Sequence, residues 1–205
     1  MPVPQQAKLP KINVRVDCGK YLLRTAKPED ASERWAAWMA DRRSVRLLNV
    51  PTRVMSRQDV AAYIREFDQR SRLLIGIFAR ETRAPIGFIR LDIAHAFSRA
   101  LGFMFIGEGR FRHSSVIDAL GLRFQDYVFD TLGLRTLLTT VLARNRAMVL
   151  YLVKHGWTLD KTIARHVKSQ TDDTMLDLCF LSLSGDAWRA WKKANLPPGY
   201  GSGAR

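Results

Sequence analysis

The stretch LRTLLTTVLARNRAMVLYLVKHGW, Leu134 to Trp157, decides how this chain folds. Leu134–Leu142 reads as a strand. Asn145 follows it and can cap a helix with its side-chain oxygen. Lys154 and His155 sit in the last turn of that helix, where cations suit the negative end of the helix dipole. Gly156 ends it.

Working outward, the segment before this stretch is a second helix, from about Val116 to Leu132. Its stripe is Val116, Leu120, Phe124 and Val128. Ser115 is its expected N-cap, with Asp118 at N3, and Gly133 is its C′ residue. Leu101–Ile106 precedes it as a strand. A strand, a helix and a strand in that order predict a right-handed parallel crossover.

Toward the N-terminus, Tyr21–Arg24 is a short strand, and Lys27-Pro-Glu-Asp30 opens a helix bearing Trp35, Trp38 and Met39. The Trp35/Trp38 pair is expected in the core. A second helix follows Ser56, with Asp59 at N3. Leu73–Arg80, Pro85–Ile93 and Leu101–Ile106 form an antiparallel meander, the first pair joined at Thr82-Arg83. Toward the C-terminus, Ile163–Lys168 and Met175–Leu183 form a hairpin, and Asp186 opens a last helix with Trp188 and Trp191. The predicted order is β-α-α-β-β-β-α-β-α-β-β-α. That is one mixed α/β (α+β) domain over 19–194, with an N-terminal extension at 1–18 and a Gly/Pro-rich tail at 195–205.

Composition is compatible with that fold: 205 residues, 47% hydrophobic and 25% charged. These values exclude a disordered or collagen-like chain. Lys and Arg number 33 against 19 Asp and Glu, a net charge of +14, with Arg in the majority. Such a field favours anionic partners. Cys18 and Cys179 stand in strand-like contexts with no CxxC spacing. They are expected as buried, reduced thiols, which fits a cytoplasmic protein. No apolar run is long enough to span a membrane, and Met1–Pro10 lacks the apolar core of a signal peptide.

The loop Gly107-Glu-Gly-Arg-Phe-Arg-His-Ser-Ser115 feeds a helix N-terminus, a place suited to a phosphate group. Arg110, Arg112, His113, Ser114 and Ser115 can all donate there. The same residues also suit a solvated basic loop.

The Asn145–Trp157 segment resembles the Asn-x-x-(Ala/Ser)-…-Lys-x-Gly-Phe stretch of the GNAT superfamily of acyl-CoA-dependent N-acyltransferases. Tyr127–Phe129 with Leu132-Gly-Leu-Arg135 resembles that family's helix end, and Leu22–Asp30 its opening. Asp177 and Trp188 resemble the ribosomal-protein alanine acetyltransferase branch. The resemblance covers about Tyr21 to Lys193. It implies a V-shaped splay between the Leu101–Ile106 and Leu134–Leu142 strands. The pantetheine arm of acetyl-CoA, the acyl donor, would lie in that splay against Phe105 and Ile106, with Asn145 touching the arm. The pyrophosphate would rest on the helix beginning near Val116, with Arg110, Arg112, His113, Ser114 and Ser115 around it.

Three departures stand out. Counting back from Phe129 puts His113 and Ser115 where the family's phosphate loop has glycines. The loop is about two residues longer than usual. The slot of the family's Tyr, the acid for the leaving thiolate, holds Leu152, with Tyr151 one residue earlier, while Met148 fills the small-residue slot. Glu108, at the mouth of the splay, is the candidate general base; its other reading is a turn carboxylate paired with Arg110 or Arg112. Asp92 faces a sheet surface and is a weaker candidate for touching substrate. His95, His155 and His166 read as structural or solvated. Arg42–Leu48 is expected at the rim of the acceptor site.

These observations imply an N-acetyltransferase acting on a primary amine, whether protein N-terminus, amino sugar or small amine, as a monomer or homodimer, without metal. The altered loop also fits a binding module that lacks catalysis. The net charge suggests an RNA or ribosome binder, but the basic residues form no runs and no RNA-binding signature is present.

Overall fold

The computed structural model describes residues 9–41, 48–49, 52–198 and 200. Its strands are β1 (Arg15–Cys18), β2 (Tyr21–Thr25), β3 (Arg72–Ala79), β4 (Pro85–Ala94), β5 (Arg99–Ile106), β6 (Thr136–Leu142), β7 (Thr158–Lys168) and β8 (Met175–Ser184). The α-helices among these residues are α1 (Glu33–Ala40), α2 (Arg57–Arg65), α3 (Ser114–Asp126), α4 (Arg146–Lys154) and α5 (Gly185–Asn195).

Local chemistry sets most of these boundaries. Ser56 accepts from Asp59 N while the Asp59 carboxylate accepts from Ser56 N, so α2 starts with both ends of a capping box satisfied. Asn145 accepts from Met148 N and starts α4. Gly133 and Gly156 take φ values of 65° and 84° just past their helices, where a side chain would be strained.

The eight strands form one sheet in the order β1-β2-β3-β4-β5-β6-β8-β7. β5 and β6 pair in parallel, and every other neighbouring pair is antiparallel. The expected mixed fold and its single crossover are therefore present. One face packs under α1 and α2 through Trp35, Trp38, Val60, Ile64, Leu74, Phe88 and Phe105. The larger core on the other face takes the predicted stripe, Val116, Leu120 and Phe124 of α3 with Val128 just beyond it, and Trp188 of α5.

Some expectations need correction. β1, inside the stretch read as an extension, was missed because its alternation of polar and apolar residues lasts only four positions, too short to stand out. Lys27–Asp30 does not open α1: Pro28–Asp30 is a 3₁₀ turn, and Ser32 caps α1 by accepting from Trp35 N. α3 starts before the expected Ser115 cap. His113 holds the N-cap position without a side-chain cap bond, and its Nδ1 lies 2.8 Å from Ser115 Oγ. Beyond Asp126 the helix widens into a π turn, Tyr127–Thr131.

Candidate active site

The register of the sheet opens a gap at its centre. β5 and β6 pair only at Arg99↔Thr136, Ala100↔Leu137 and Leu101↔Leu138. Past that point β6 follows β8 as far as Leu142↔Leu178, while β5 stays on β4 as far as Gly87↔Ile106. The two halves of the sheet therefore splay. Where the gap begins, Thr139 Oγ1 donates to Gly102 O at 2.9 Å.

Alternation along β5 decides which backbone groups face the gap. Ser98 O accepts from Arg135 N and Gly102 O from Thr139, so even-numbered residues present N–H and C=O toward β6. Gly107 N donates to Ile86 O, so odd-numbered residues face β4. Of the two expected edge residues, Ile106 thus faces the splay and Phe105 faces β4, its ring buried against Trp38 and Phe88. Met104 also faces the splay. It went unnoticed because parity is invisible without the strand register. Ile106 O already accepts from Arg112 Nε at 2.9 Å. Met104 is left as the middle of an edge that no strand covers.

Beside this edge lies a cleft of about 270 Å³, lined by Met39, Leu48, Tyr63, Phe88, Phe103 and Phe105, with Arg90, Asp92 and Thr140 as polar groups. Cross-strand pairs build its floor: Phe88↔Phe105, Arg90↔Phe103 and Asp92↔Leu101. Asp92 accepts from Arg90 Nε at 2.8 Å, and Arg72 Nε stands 3.9 Å away across β3. Burial pushes the Tyr63 hydroxyl up from its ordinary range. Asp92 and Leu48 were both expected at an acceptor site; residues 42–47 lie outside those described.

Glu108 sits at the end of β5. Its Oε1 accepts from Trp38 Nε1 at 3.0 Å and lies 3.6 Å from Arg34 Nε, so its partners are neither Arg110 nor Arg112. Gly107 makes this possible, because a Cβ there would fall 2.0 Å from the Trp38 ring.

The loop before α3 contains no positive φ from 107 to 115. The backbone at His113 and Ser115 therefore follows a path open to any residue. The loop contains a 3₁₀ turn, Gly109–Phe111, whose Phe111 ring lies edge-on to Tyr21 at 6.0 Å. Ser114, Ser115 and Val116 form the first turn of α3. Arg110 lies over the Phe111 ring. Arg112 bonds Ile106 O and Gly107 O, and its NH2 lies 4.0 Å from Asp41.

Tyr151, on α4, reaches across to α3. Its hydroxyl donates to Asp118 Oδ1 at 2.7 Å, and its ring stacks on His155 at 4.1 Å. Burial, then that bond, pushes the hydroxyl up. Leu152 packs against the larger core. The Asn145 side-chain oxygen is occupied as the cap of α4. Among the described residues no cluster of His, Cys, Asp and Glu could hold a metal, and no helix is long and apolar enough to cross a membrane.

A family model described as an acetyltransferase (GNAT) domain matches residues 20–158. No curated protein matches the chain. Among solved structures, a GCN5-related N-acetyltransferase from Brucella melitensis is similar with a TM-score of 0.74 at 15% identity, covering 96% of this chain and 91% of that one. Spermidine N-acetyltransferase from Vibrio cholerae, solved with CoA and spermine, gives 0.73 at 13% identity, covering 83% and 98%. Ribosomal-protein-S5-alanine acetyltransferase from Vibrio fischeri gives 0.70 at 14% identity, covering 85% and 98%.

Proposed function

The chain belongs to the GNAT acetyltransferase family, and from that premise we propose that it moves an acetyl group from acetyl-CoA to a primary amine by direct attack. The observation that carries this reading is the uncovered edge of β5 at Met104, next to the cleft lined by Phe103 and Phe105. An amide-bearing arm laid in the splay finds the N–H and C=O of Met104 unclaimed by any strand. The first turn of α3 (Ser114, Ser115, Val116) presents a positive dipole end to a pyrophosphate, with the Ser114 and Ser115 N–H groups as donors, while Val116 N donates to His113 O. Arg110, Arg112 and His113 stand around it.

The amine enters through the cleft, where Asp92 orients it. Its nitrogen attacks the thioester carbonyl, polarised by a β5 N–H. The new C–N bond forms as the C–S bond breaks. Glu108 takes the ammonium proton through water. The departing thiolate needs no strong acid, since a free thiol ionises near a pKa of about 8.5.

The test is thermal shift with acetyl-CoA, followed by thiol release on an amine panel. A ligand at a hundred times its Kd adds about 2.7 kcal/mol. No shift at millimolar acetyl-CoA, CoA or longer acyl-CoAs removes the reading. Binding without thiol release on any amine favours a module that holds acyl-CoA without transferring it.

A further inference from the structure

Resting on that acetyl-transfer reading, we infer that the acceptor is a compact monoamine with an apolar, aromatic-sized body, and that Asn49 enforces this by strapping the cleft shut. Two independent features of the cleft lead there.

The first is charge. The lining holds one carboxylate, Asp92, and that carboxylate is shared by Arg90 and Arg72. One ammonium can be accommodated beside it. A second or third cationic centre would find no further carboxylate in the lining and would face the Arg90 guanidinium, and like charges across a binding surface are strongly disfavoured. The remaining lining is aromatic and aliphatic, and about 270 Å³ suits a body of one ring with a short chain.

The second is a clamp across the splay. Leu48 lines the cleft from the α1–α2 connection, on the β3–β5 half of the sheet. Its neighbour Asn49 reaches the other half: Nδ2 donates to Lys168 O at 2.9 Å, and Oδ1 accepts from Gln170 N at 2.9 Å. This pair of bonds copies a strand-to-strand contact onto the turn of the β7–β8 hairpin. The two halves of the sheet part after Leu101↔Leu138, and Asn49 joins them again above the cleft. A long or polymeric acceptor has to displace that bridge; a compact one does not.

The experiment uses the full chain with saturating acetyl-CoA, whose binding is first measured by calorimetry. The acceptors are 2-phenylethylamine, L-phenylalanine (the same body with an added carboxylate), spermidine and a peptide beginning with alanine. The expected kcat/KM for the better of the two phenyl compounds exceeds that for spermidine by about a hundredfold or more. Preference between those two compounds tells whether Arg90 also receives a carboxylate. Asn49 has a φ of 52°, so Asn49→Gly removes the clamp without straining the backbone. That variant should bind acetyl-CoA as the parent does and shift the kcat/KM ratio of peptide to phenyl amine upward by about tenfold. Acetyl-CoA binding with spermidine or the peptide as best acceptor, with neither phenyl compound acetylated, or with an unchanged ratio in Asn49→Gly, overturns the inference while the acetyl-transfer reading stands. Absence of acetyl-CoA binding overturns both.

Discussion

The Trp38 indole N–H donates to Glu108 Oε1 at 3.0 Å across 70 positions of sequence, and so ties α1 to the end of the splayed strand. The bond exists because Gly107 lets the indole lie against the strand end. Trp38 is buried and Glu108 partly so; the acidic group is thereby fixed in place at the mouth of the splay.

Glu108→Gln should therefore lower kcat by about a hundredfold or more, the usual contribution of a general base, while the Kd for acetyl-CoA stays the same. Steady-state kinetics with calorimetry separates the two. Equal turnover in the parent and variant removes Glu108 from the chemistry.

Trp38→Phe keeps an aromatic ring against the core and removes the donor together with the five-membered ring that carries it, so a packing loss adds to that of the hydrogen bond. A hydrogen bond to a charged group is worth about 1.5–3 kcal/mol. The variant should melt earlier by at least that order of energy and lose part of the Glu108 effect on kcat. In the double variant Trp38→Phe/Glu108→Gln the two losses in kcat should not add.

Arg112→Ala should weaken acetyl-CoA binding about ten- to a hundredfold, by the energy of one charge-assisted contact. Its guanidinium closes the β5 edge at Ile106 O and Gly107 O, beside the start of α3. Arg112→Lys keeps the charge but not the fork, so only the salt-sensitive part of the affinity should return. If Arg110→Ala/Arg112→Ala binds as tightly as the parent at every salt concentration, both arginines are surface charge alone.

Tyr151→Phe should lower the melting temperature and leave kcat within about twofold. The hydroxyl is held by Asp118, between α3 and α4, and its loss costs about 1–3 kcal/mol. A large fall in kcat at unchanged stability would falsify this and return Tyr151 to the thioester.

Burial pushes the Cys18 thiol up from 9.0 to about 12. Below pH 9 the folded and unfolded chains both hold that proton, and stability does not depend on it. Between pH 9 and 12 the unfolded chain releases the proton and the folded chain keeps it, so stability falls as pH rises. Denaturation of Cys18→Ala over that interval should show a shallower decline than the parent. Parallel slopes would mean that the thiol ionises equally in both states.

How much of this was legible beforehand follows from how far each interaction reaches along the chain. The crossover around Leu134–Trp157, the caps at Ser56 and Asn145, the glycine stops at 133 and 156, and the stripe of α3 all depend on residues within a few positions of one another. Such signals are written in the sequence directly. β1 escaped because its alternation of Arg15, Val16, Asp17 and Cys18 lasts only two periods. The site depends on register instead. Which of Phe105, Ile106 and Met104 faces the splay turns on a parity set by pairing with β4 and β6. The approach of Arg72 to Asp92, which lines the cleft beside Arg90, is a cross-strand event between β3 and β4. The partners of Glu108, Tyr151 and Asn49 lie 70, 33 and about 120 positions away. Sequence determined the order and kind of the elements, because propensity and capping are local. Tertiary structure alone decided which side chains share a cleft, because a shift of one residue in a strand turns every one of them to the opposite face.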